Sequence, residues 1–430
     1  MLSKKDSQKE WFLVAITFIL IALVAVVMFQ NNSTAMVTRN YQGSGTQVTT
    51  PLGDIPPQLM EEPAIATMIE PDLELHLIRC QDPNCINTPS ITPLFLGLGP
   101  YDPFRSIKLR DNGNPVILYD KPDNTVLLDC HDPLCNTYTQ TDIPEVLGRD
   151  NVKSFIIPSD NKPFIVIGER SGAFPPITSL KTIKCGNPTC SSGNVVTTIY
   201  QIISLIYFPS DIQIGSDGFP RIVWVNPSSG SENSLRFVQC LNSACSSFQE
   251  KILESGSPST FLIEYSSVAF DTTSDGIPTI VYLVSNSSLT NAVRIFSCLD
   301  PDCANGGSAQ SLNIEVDRRA NIIIPEDDLP VITFGTRNSS PRMTLIKCGG
   351  AACNPLFNSN PIIFGNYVRG HASLISPTTG LPLIFYQMRP AQPPYSLQLR
   401  VARCQDPACT TRSESILDDN TTIYRIGADN

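Results

Sequence analysis

Fourteen cysteines fall into seven pairs of one spacing: CQDPNC from Cys80, CHDPLC from Cys130, CGNPTC from Cys185, CLNSAC from Cys240, CLDPDC from Cys298, CGGAAC from Cys348 and CQDPAC from Cys404. Thiols so placed can ligate a metal, exchange electrons or close a disulfide, and copy number separates these chemistries. Structural zinc needs four converging ligands, usually from closer pairs or with histidine, and the chain holds only His76, His131 and His371. A redox dithiol is needed once, not in seven copies. The expectation is therefore disulfides closed within each pair, Cys80 with Cys85, Cys130 with Cys135, Cys185 with Cys190, Cys240 with Cys245, Cys298 with Cys303, Cys348 with Cys353 and Cys404 with Cys409, in an oxidising compartment. Closing so short a loop contributes roughly 2 kcal/mol per bridge on the chain-entropy account.

No other catalytic constellation stands out. There is no G-x-S-x-G or H-E-x-x-H, and the carboxylates Glu326, Asp327 and Asp328 read as a solvated turn ahead of Pro330. The sequence names no catalytic residue, cofactor or metal. With a net charge of -10 and no cluster of Lys and Arg, a nucleic-acid partner is not expected.

The elements that position the cysteines are themselves repeated. The first cysteines lie 50, 55, 55, 58, 50 and 56 residues apart. Upstream of each comes a turn signal, a proline and an apolar run: DNGNPVILY, SDNKPFIVI, SDGFPRIVWV, SDGIPTIVYL, EDDLPVITF and TTGLPLIFY, with a degraded copy at EEPAIATMI. Pro63, Pro115, Pro163, Pro220, Pro278, Pro330 and Pro382 mark the register. A period near fifty built of strand and turn signals belongs to propeller blades. Each unit reads as four strands: A before the turn, B from the proline in apolar alternation, C running into the first cysteine, and D after the second. Each cysteine pair is expected to face across the C–D hairpin, with Cα atoms about 5.5 Å apart. Asp-Pro, in four of the turns, is expected to cap them. The ending IYRIGADN matches the strand A of the fourth unit, DIQIGSDG, so it is expected to complete the first blade and close the ring. The fold expected is all-β, a seven-bladed β-propeller of four-stranded blades with one N-terminal transmembrane helix.

That helix is residues 11–29, WFLVAITFILIALVAVVMF, without a charge and long enough to cross a bilayer. Lys4, Lys5 and Lys9 precede it, so residues 1–10 are expected as a cytoplasmic tail, 30–62 as a stalk and 63–430 as an extracytoplasmic propeller. A cleaved signal peptide is the competing reading. Sequons at Asn31, Asn32, Asn286, Asn338 and Asn420 suit a glycoprotein at a cell surface or in a virion membrane.

The pattern DG-x-P-x-I-x-Y followed by L-x-x-x-x-C-x-D-x-x-C resembles a blade repeat of secreted and surface-anchored β-propeller proteins of bacteria, protists and large DNA viruses. The resemblance implies architecture and no shared activity. In a four-stranded meander the A–B and C–D turns share one face, which here carries the repeated residues. The B–C loops share the other, and they vary from blade to blade. Arg170, Phe174, Arg337, Arg342, Arg389 and Tyr395 on those loops are candidate anchors for a protein or glycan, whereas Tyr119, Trp224, Tyr282 and Tyr386 recur at one B-strand position and read as packing aromatics. The function expected is a membrane-anchored surface protein that binds a partner or serves as a structural surface component. Alternatives are an extracytoplasmic carbohydrate-active enzyme with a site at the central channel, and a virion envelope protein.

Overall fold

Each proline of the repeat opens a strand, and that strand is buried on both of its faces. The computed structural model describes residues 62–69, 74–94, 104–121, 124–147, 151–171, 177–203, 208–226, 233–256, 262–285, 291–316, 320–336, 343–350, 353, 362–364, 371–388, 398–418 and 423–429. The expected tail, transmembrane segment and all five sequons lie outside these residues, as does the stalk apart from Glu62. Among the described residues no helix is long and apolar enough to cross a membrane.

The first blade holds β1 (Ala64–Ile69), β2 (Glu74–Arg79) and β3 (Ser90–Leu94), and the second β4 (Phe104–Leu109), β5 (Pro115–Asp120), β6 (Asn124–Cys130) and β7 (Tyr138–Leu147). The third is β8 (Asn151–Ile156), β9 (Phe164–Ser171), β10 (Ile177–Lys184) and β11 (Val195–Ile203), and the fourth β12 (Ser210–Ile214), β13 (Pro220–Asn226), β14 (Asn233–Cys240) and β15 (Phe248–Gly256). The fifth is β16 (Leu262–Thr272), β17 (Pro278–Ser285), β18 (Asn291–Cys298) and β19 (Gly307–Glu315), and the sixth β20 (Ala320–Ile323), β21 (Val331–Gly335), β22 (Met343–Lys347) and β23 (Ile362–Phe364). The seventh is β24 (His371–Ile375), β25 (Pro382–Met388), β26 (Gln398–Cys404) and β27 (Arg412–Asp418), and β28 (Ile423–Asp429) follows.

Seven four-stranded antiparallel sheets result, and the first has the order β28-β1-β2-β3. The end of the chain thus supplies strand A of the first blade, with Ala64 opposite Asp429 and Thr67 opposite Ile426. The proline register holds throughout, because a residue without an N–H can start strand B while its carbonyl still accepts a bond. Pro63, Pro163 and Pro330 accept from the N–H of Cys80, Cys185 and Cys348 at 3.1, 2.9 and 2.8 Å.

Apolar residues of strands B and C do not alternate with polar ones, as the sequence reading had it; β13 is buried at all seven positions. A blade has a neighbour on each face, so alternate residues enter two different cores. Ala64 and Ala66 pack with Ile117 and Tyr119 of the second blade, while Ile65 between them packs with Phe385 and Val401 of the seventh. Each of the seven core clusters spans two adjacent blades, and the cluster shared by the first and seventh closes the ring.

Positive φ at the A–B turns falls on Gly113, Gly218, Gly276 and Gly380, where a glycine follows the turn signal, and on Asn161 and Asp328 in the third and sixth blades. The C–D turns depart from expectation. All seven disulfides close within their own pair, but the cysteines do not face across the hairpin. Strand register sets Cys130 opposite Tyr138, Cys240 opposite Phe248 and Cys404 opposite Arg412. The second cysteine lies inside the turn, left-handed with φ between 49° and 58° in every blade, and its N–H returns to the carbonyl three residues back, as from Cys135 to Asp132 at 3.0 Å. That tighter curl brings the Cα atoms to between 4.4 and 5.0 Å. A left-handed non-glycine residue costs roughly 1–2 kcal/mol, which the covalent bridge and the turn's hydrogen bonds offset.

The register also slips once in five C–D pairings. In the third and seventh blades the one residue skipped on the outer strand, Ile199 or Leu417, turns inward and is 7% exposed. These bulges bend strand D over the edge of the core.

Candidate recognition face and its scaffold

The six loop anchors named from sequence are not brought together by described side chains. Arg170 lies in β9 opposite Thr178; its side chain, and Phe174, Arg337, Arg342, Arg389 and Tyr395 altogether, lie outside the described residues. What is described is the scaffold on which those loops stand.

On the variable side, the B-strand aromatics are packing residues, as expected: Tyr119, Trp224, Tyr282 and Tyr386 are all fully buried. In three blades an arginine of strand C stands opposite the aromatic, Arg236 to Trp224, Arg294 to Tyr282 and Arg400 to Tyr386. Strand pairing forces this meeting, since directly opposed residues share a face. Arg236 lies 5.2 Å from the Trp224 ring and 5.0 Å from that of Tyr200 in the preceding blade, and its Nη1 donates to Glu250 at 3.1 Å. In the fifth blade Arg294 Nε donates to Glu254 Oε2 at 3.0 Å and to the Tyr282 hydroxyl at 3.1 Å, and that hydroxyl donates to Glu254. In the seventh, Tyr386 donates to Glu414 at 2.7 Å.

A tyrosine, a carboxylate and an arginine are the right types for nucleophilic glycosidase chemistry, but here the geometry denies it. Burial, then the Glu254 charge, holds the Tyr282 phenol well above its ordinary pKa, and burial followed by the Glu414 bond does the same for Tyr386. A buried, protonated phenol cannot reach a substrate. These trios tie blades and strands together.

On the repeated face the C–D turns are capped as expected, and more widely than Asp-Pro suggests. Asp132 accepts from the N–H groups of Leu134 and Asn136 at 3.1 Å and of Thr137 at 2.9 Å. Partial burial pushes that carboxyl up, but these bonds outweigh it and its pKa falls; in Asp406 the same balance leaves it at about 2. Asn187 and Asn242 cap their own turns in the same way, accepting from Ser191 at 3.0 Å and Ser246 at 3.1 Å. Six of the seven turns carry Asp or Asn at this position, an equivalence that a search for Asp-Pro misses.

The residue before the first cysteine was also missed. It is charged in five units, Arg79, Asp129, Lys184, Lys347 and Arg403. Lys184 and Lys347 bind Asp160 and Asp327 of their own A–B turns at 2.8 and 2.5 Å. Asp129 receives Arg110 Nε at 2.9 Å, while the rest of that guanidinium crosses to the third blade, donating to the Asn161 carbonyl and the Pro188 carbonyl at 2.8 Å. Arg403 of the seventh blade donates to the carbonyls of Asn84 and Cys85 in the first. Arg221 of the fourth reaches Asp302 of the fifth at 2.7 Å. Stapled turns thus serve as fixed acceptors for the neighbouring blade.

The inner strands are linked by carboxylates. Asp211 accepts from the N–H of Phe270 in the next blade at 3.1 Å, and Asp271 from that of Ile324 at 2.7 Å. Burial pushes Asp211 up to about 6, against the opposing pull of the Phe270 and Ile212 N–H groups and of Lys108. The folded state therefore holds this proton more tightly than the unfolded chain, whose Asp titrates near ~3.9. The stabilisation is complete below that value and is lost as pH rises through about 6. Asp211→Asn removes the charge but keeps only one of the two acceptor oxygens, which serve the N–H groups of Ile212 and Phe270, so its stability relative to the parent is expected to be roughly 1–3 kcal/mol more favourable at pH 7.5 than at pH 4. Urea unfolding at the two pH values measures this.

Together these features define a disulfide-stapled seven-bladed β-propeller. No family model matches the chain, and no curated protein does. Among solved structures it is similar to a protein from Lactobacillus plantarum, 10% identical over 86% of this chain and 99% of that one with a TM-score of 0.51. It is also similar to a variant of the apocarotenoid oxygenase of Synechocystis, 7% identical over 87% and 93% with a TM-score of 0.51. A thermostable family-43 glycoside hydrolase matches more loosely, 10% identical over 76% and 96% with a TM-score of 0.35. At such identities the likeness is one of fold.

Proposed function

We propose that the chain is a single-pass surface protein of the secreted and surface-anchored propeller type, held by residues 11–29, whose propeller displays its variable loops to a protein or glycan partner outside the cytoplasm. The observation that carries this reading is the asymmetry between the two faces. One is locked by seven disulfides, side-chain caps and bonds between blades. The other carries loops of unlike length and composition on strands anchored by the fully buried Tyr119, Trp224, Tyr282 and Tyr386. A rigid ring bearing divergent loops suits recognition. The inner carboxylates Asp211 and Asp271 are occupied by backbone N–H groups, which favours binding over channel-centred hydrolysis.

The test uses the full-length chain in lipid nanodiscs, applied to a glycan array and to intact cells, beside Arg170→Ala/Phe174→Ala and Arg389→Ala/Tyr395→Ala. Binding that weakens at least roughly tenfold in one loop variant, with an unchanged melting curve, is the expected result. Binding indifferent to every loop variant, or turnover of an arrayed glycan, would overturn it. Non-reducing peptide mapping of material from the producing cell tests location, since free thiols would contradict an oxidising compartment.

A further inference from the structure

Two positions of strand B, near the variable face, set how well neighbouring blades fit together. Counted from the strand's proline, the fifth residue is aromatic in five blades, Tyr119, Trp224, Tyr282, Phe334 and Tyr386, and is Ile167 in the third. It packs toward the preceding blade, whose sixth residue shares the same core: Val225 with Tyr282, and Leu283 with Phe334. Between the seventh and first blades the corresponding pair is Gln387 and Thr67. Leu383 and Phe385 face this junction from one side and Ile65 from the other, so strand alternation turns Gln387 and Thr67 into it. Leu399 lies opposite Gln387, and His76 opposite Thr67. Gln387 and Thr67 are both fully buried, yet among the described residues neither the Thr67 hydroxyl nor either polar atom of the Gln387 amide finds a hydrogen-bond partner. Tyr119 and Trp224 also carry an unpartnered polar atom, but on rings that fill their own junctions.

We infer that the junction of the seventh and first blades is a hinged joint, whose variable end opens to water and recloses while the ring stays folded. Burying an amide and a hydroxyl without partners forfeits the hydrogen bonds they make to water. Opening restores those bonds, and at this level Thr67 offers less apolar contact than an aromatic would to hold the junction shut. The stapled end of the same junction is tied. Arg403 of the seventh blade donates to the carbonyls of Asn84 and Cys85 in the first, and Ser376 Oγ donates to Asn84 Oδ1 at 2.8 Å. Bonds at one end and unpartnered groups at the other fix the direction of opening. Residues 419–422 join the two blades covalently at the variable end, so the movement is small, about the ~2.8 Å that a water needs. Open, the joint presents a neutral amide and a hydroxyl beside the variable loops, whatever those loops bind.

The experiment is hydroxyl-radical footprinting of the full-length chain in lipid nanodiscs, read residue by residue by mass spectrometry. Leu399 and Phe385 report on this junction, and Leu235 and Phe237 on that of the fourth and fifth blades; all four are 0% exposed. Leu235 lies opposite Val225 as Leu399 lies opposite Gln387, so the leucines are matched in type, burial and place. The expected result is oxidation of Leu399 and Phe385 roughly threefold or more faster than of their references, falling to the reference rate in the double variant Thr67→Val/Gln387→Leu. Val225→Gln, which places an amide in the other junction, is expected to raise the oxidation of Leu235 and keeps the test decisive if the double variant does not fold. Equal oxidation of the two junctions in the parent overturns the inference. So does an excess that the double variant retains, or a Leu235 indifferent to Val225→Gln, because the buried polar pair is then not what opens the joint.

Discussion

Removal of residues 423–430 is expected to abolish the single cooperative unfolding transition and to make the first blade the earliest site of proteolysis. The truncated ring would lose the whole of β28, five of whose seven residues are paired with β1. At about 1 kcal/mol net per backbone hydrogen bond, the loss is on the order of 5 kcal/mol, comparable with the entire stability of many domains. The damage is also directional: without β28 the first sheet has three strands, and β1 becomes an open inner edge. Truncation by the same length inside a surface loop would cost far less. Hydrogen exchange followed by peptide mapping distinguishes the cases, because β1 and β2 should lose protection before β13 and β14. Uniform protection in the truncated chain would show that the seam carries little of the stability.

The second large effect is expected from Arg110→Ala. Arg110 and Asp129 are 7% and 9% exposed, and the guanidinium also satisfies carbonyls of Asn161 and Pro188 in the third blade. Removing it strands a buried carboxylate and takes the donor from three further acceptors, the Asn161 carbonyl, Asn161 Oδ1 and the Pro188 carbonyl, which costs roughly 3–5 kcal/mol. The companion substitution Asp129→Asn should recover part of that loss, since it removes the orphaned charge and leaves an amide that can donate. Denaturant melts of the two single variants and the double variant give the coupling directly. Additive losses would mean that the pair is solvated and that the second and third blades are held together by apolar packing alone.

Period, blade number and strand order were legible because each rests on a residue type with one physical reason to recur. Proline lacks a donor, so it marks the same strand start in every unit; cysteine spacing marks the same turn. The closing strand was legible from the likeness of IYRIGADN to DIQIGSDG. The left-handed second cysteine was not, since spacing alone does not distinguish a cysteine opposite its partner from one curled inside the turn. Nor did apolar runs such as PRIVWV disclose that successive residues serve different cores, which becomes apparent only once a blade has a neighbour on each side. The charged residue before the first cysteine was visible as a column in five units, but its meaning depends on turns of the same and adjacent blades that are distant in sequence, such as the 51 residues between Arg110 and Asn161. The loop anchors were chosen by residue type, and the described structure supplies their scaffold without their side chains.

The placement of the seam has a mechanical consequence. Because the end of the chain supplies strand A of the first blade, the polypeptide coming from the N-terminal side enters the ring on β1, between β28 and β2. Tension transmitted along that entering segment therefore loads a strand hydrogen-bonded along both edges, so the bonds on either side share the force in shear rather than opening one after another like a zip. Had the first blade begun with its own inner strand, the same pull would peel an edge.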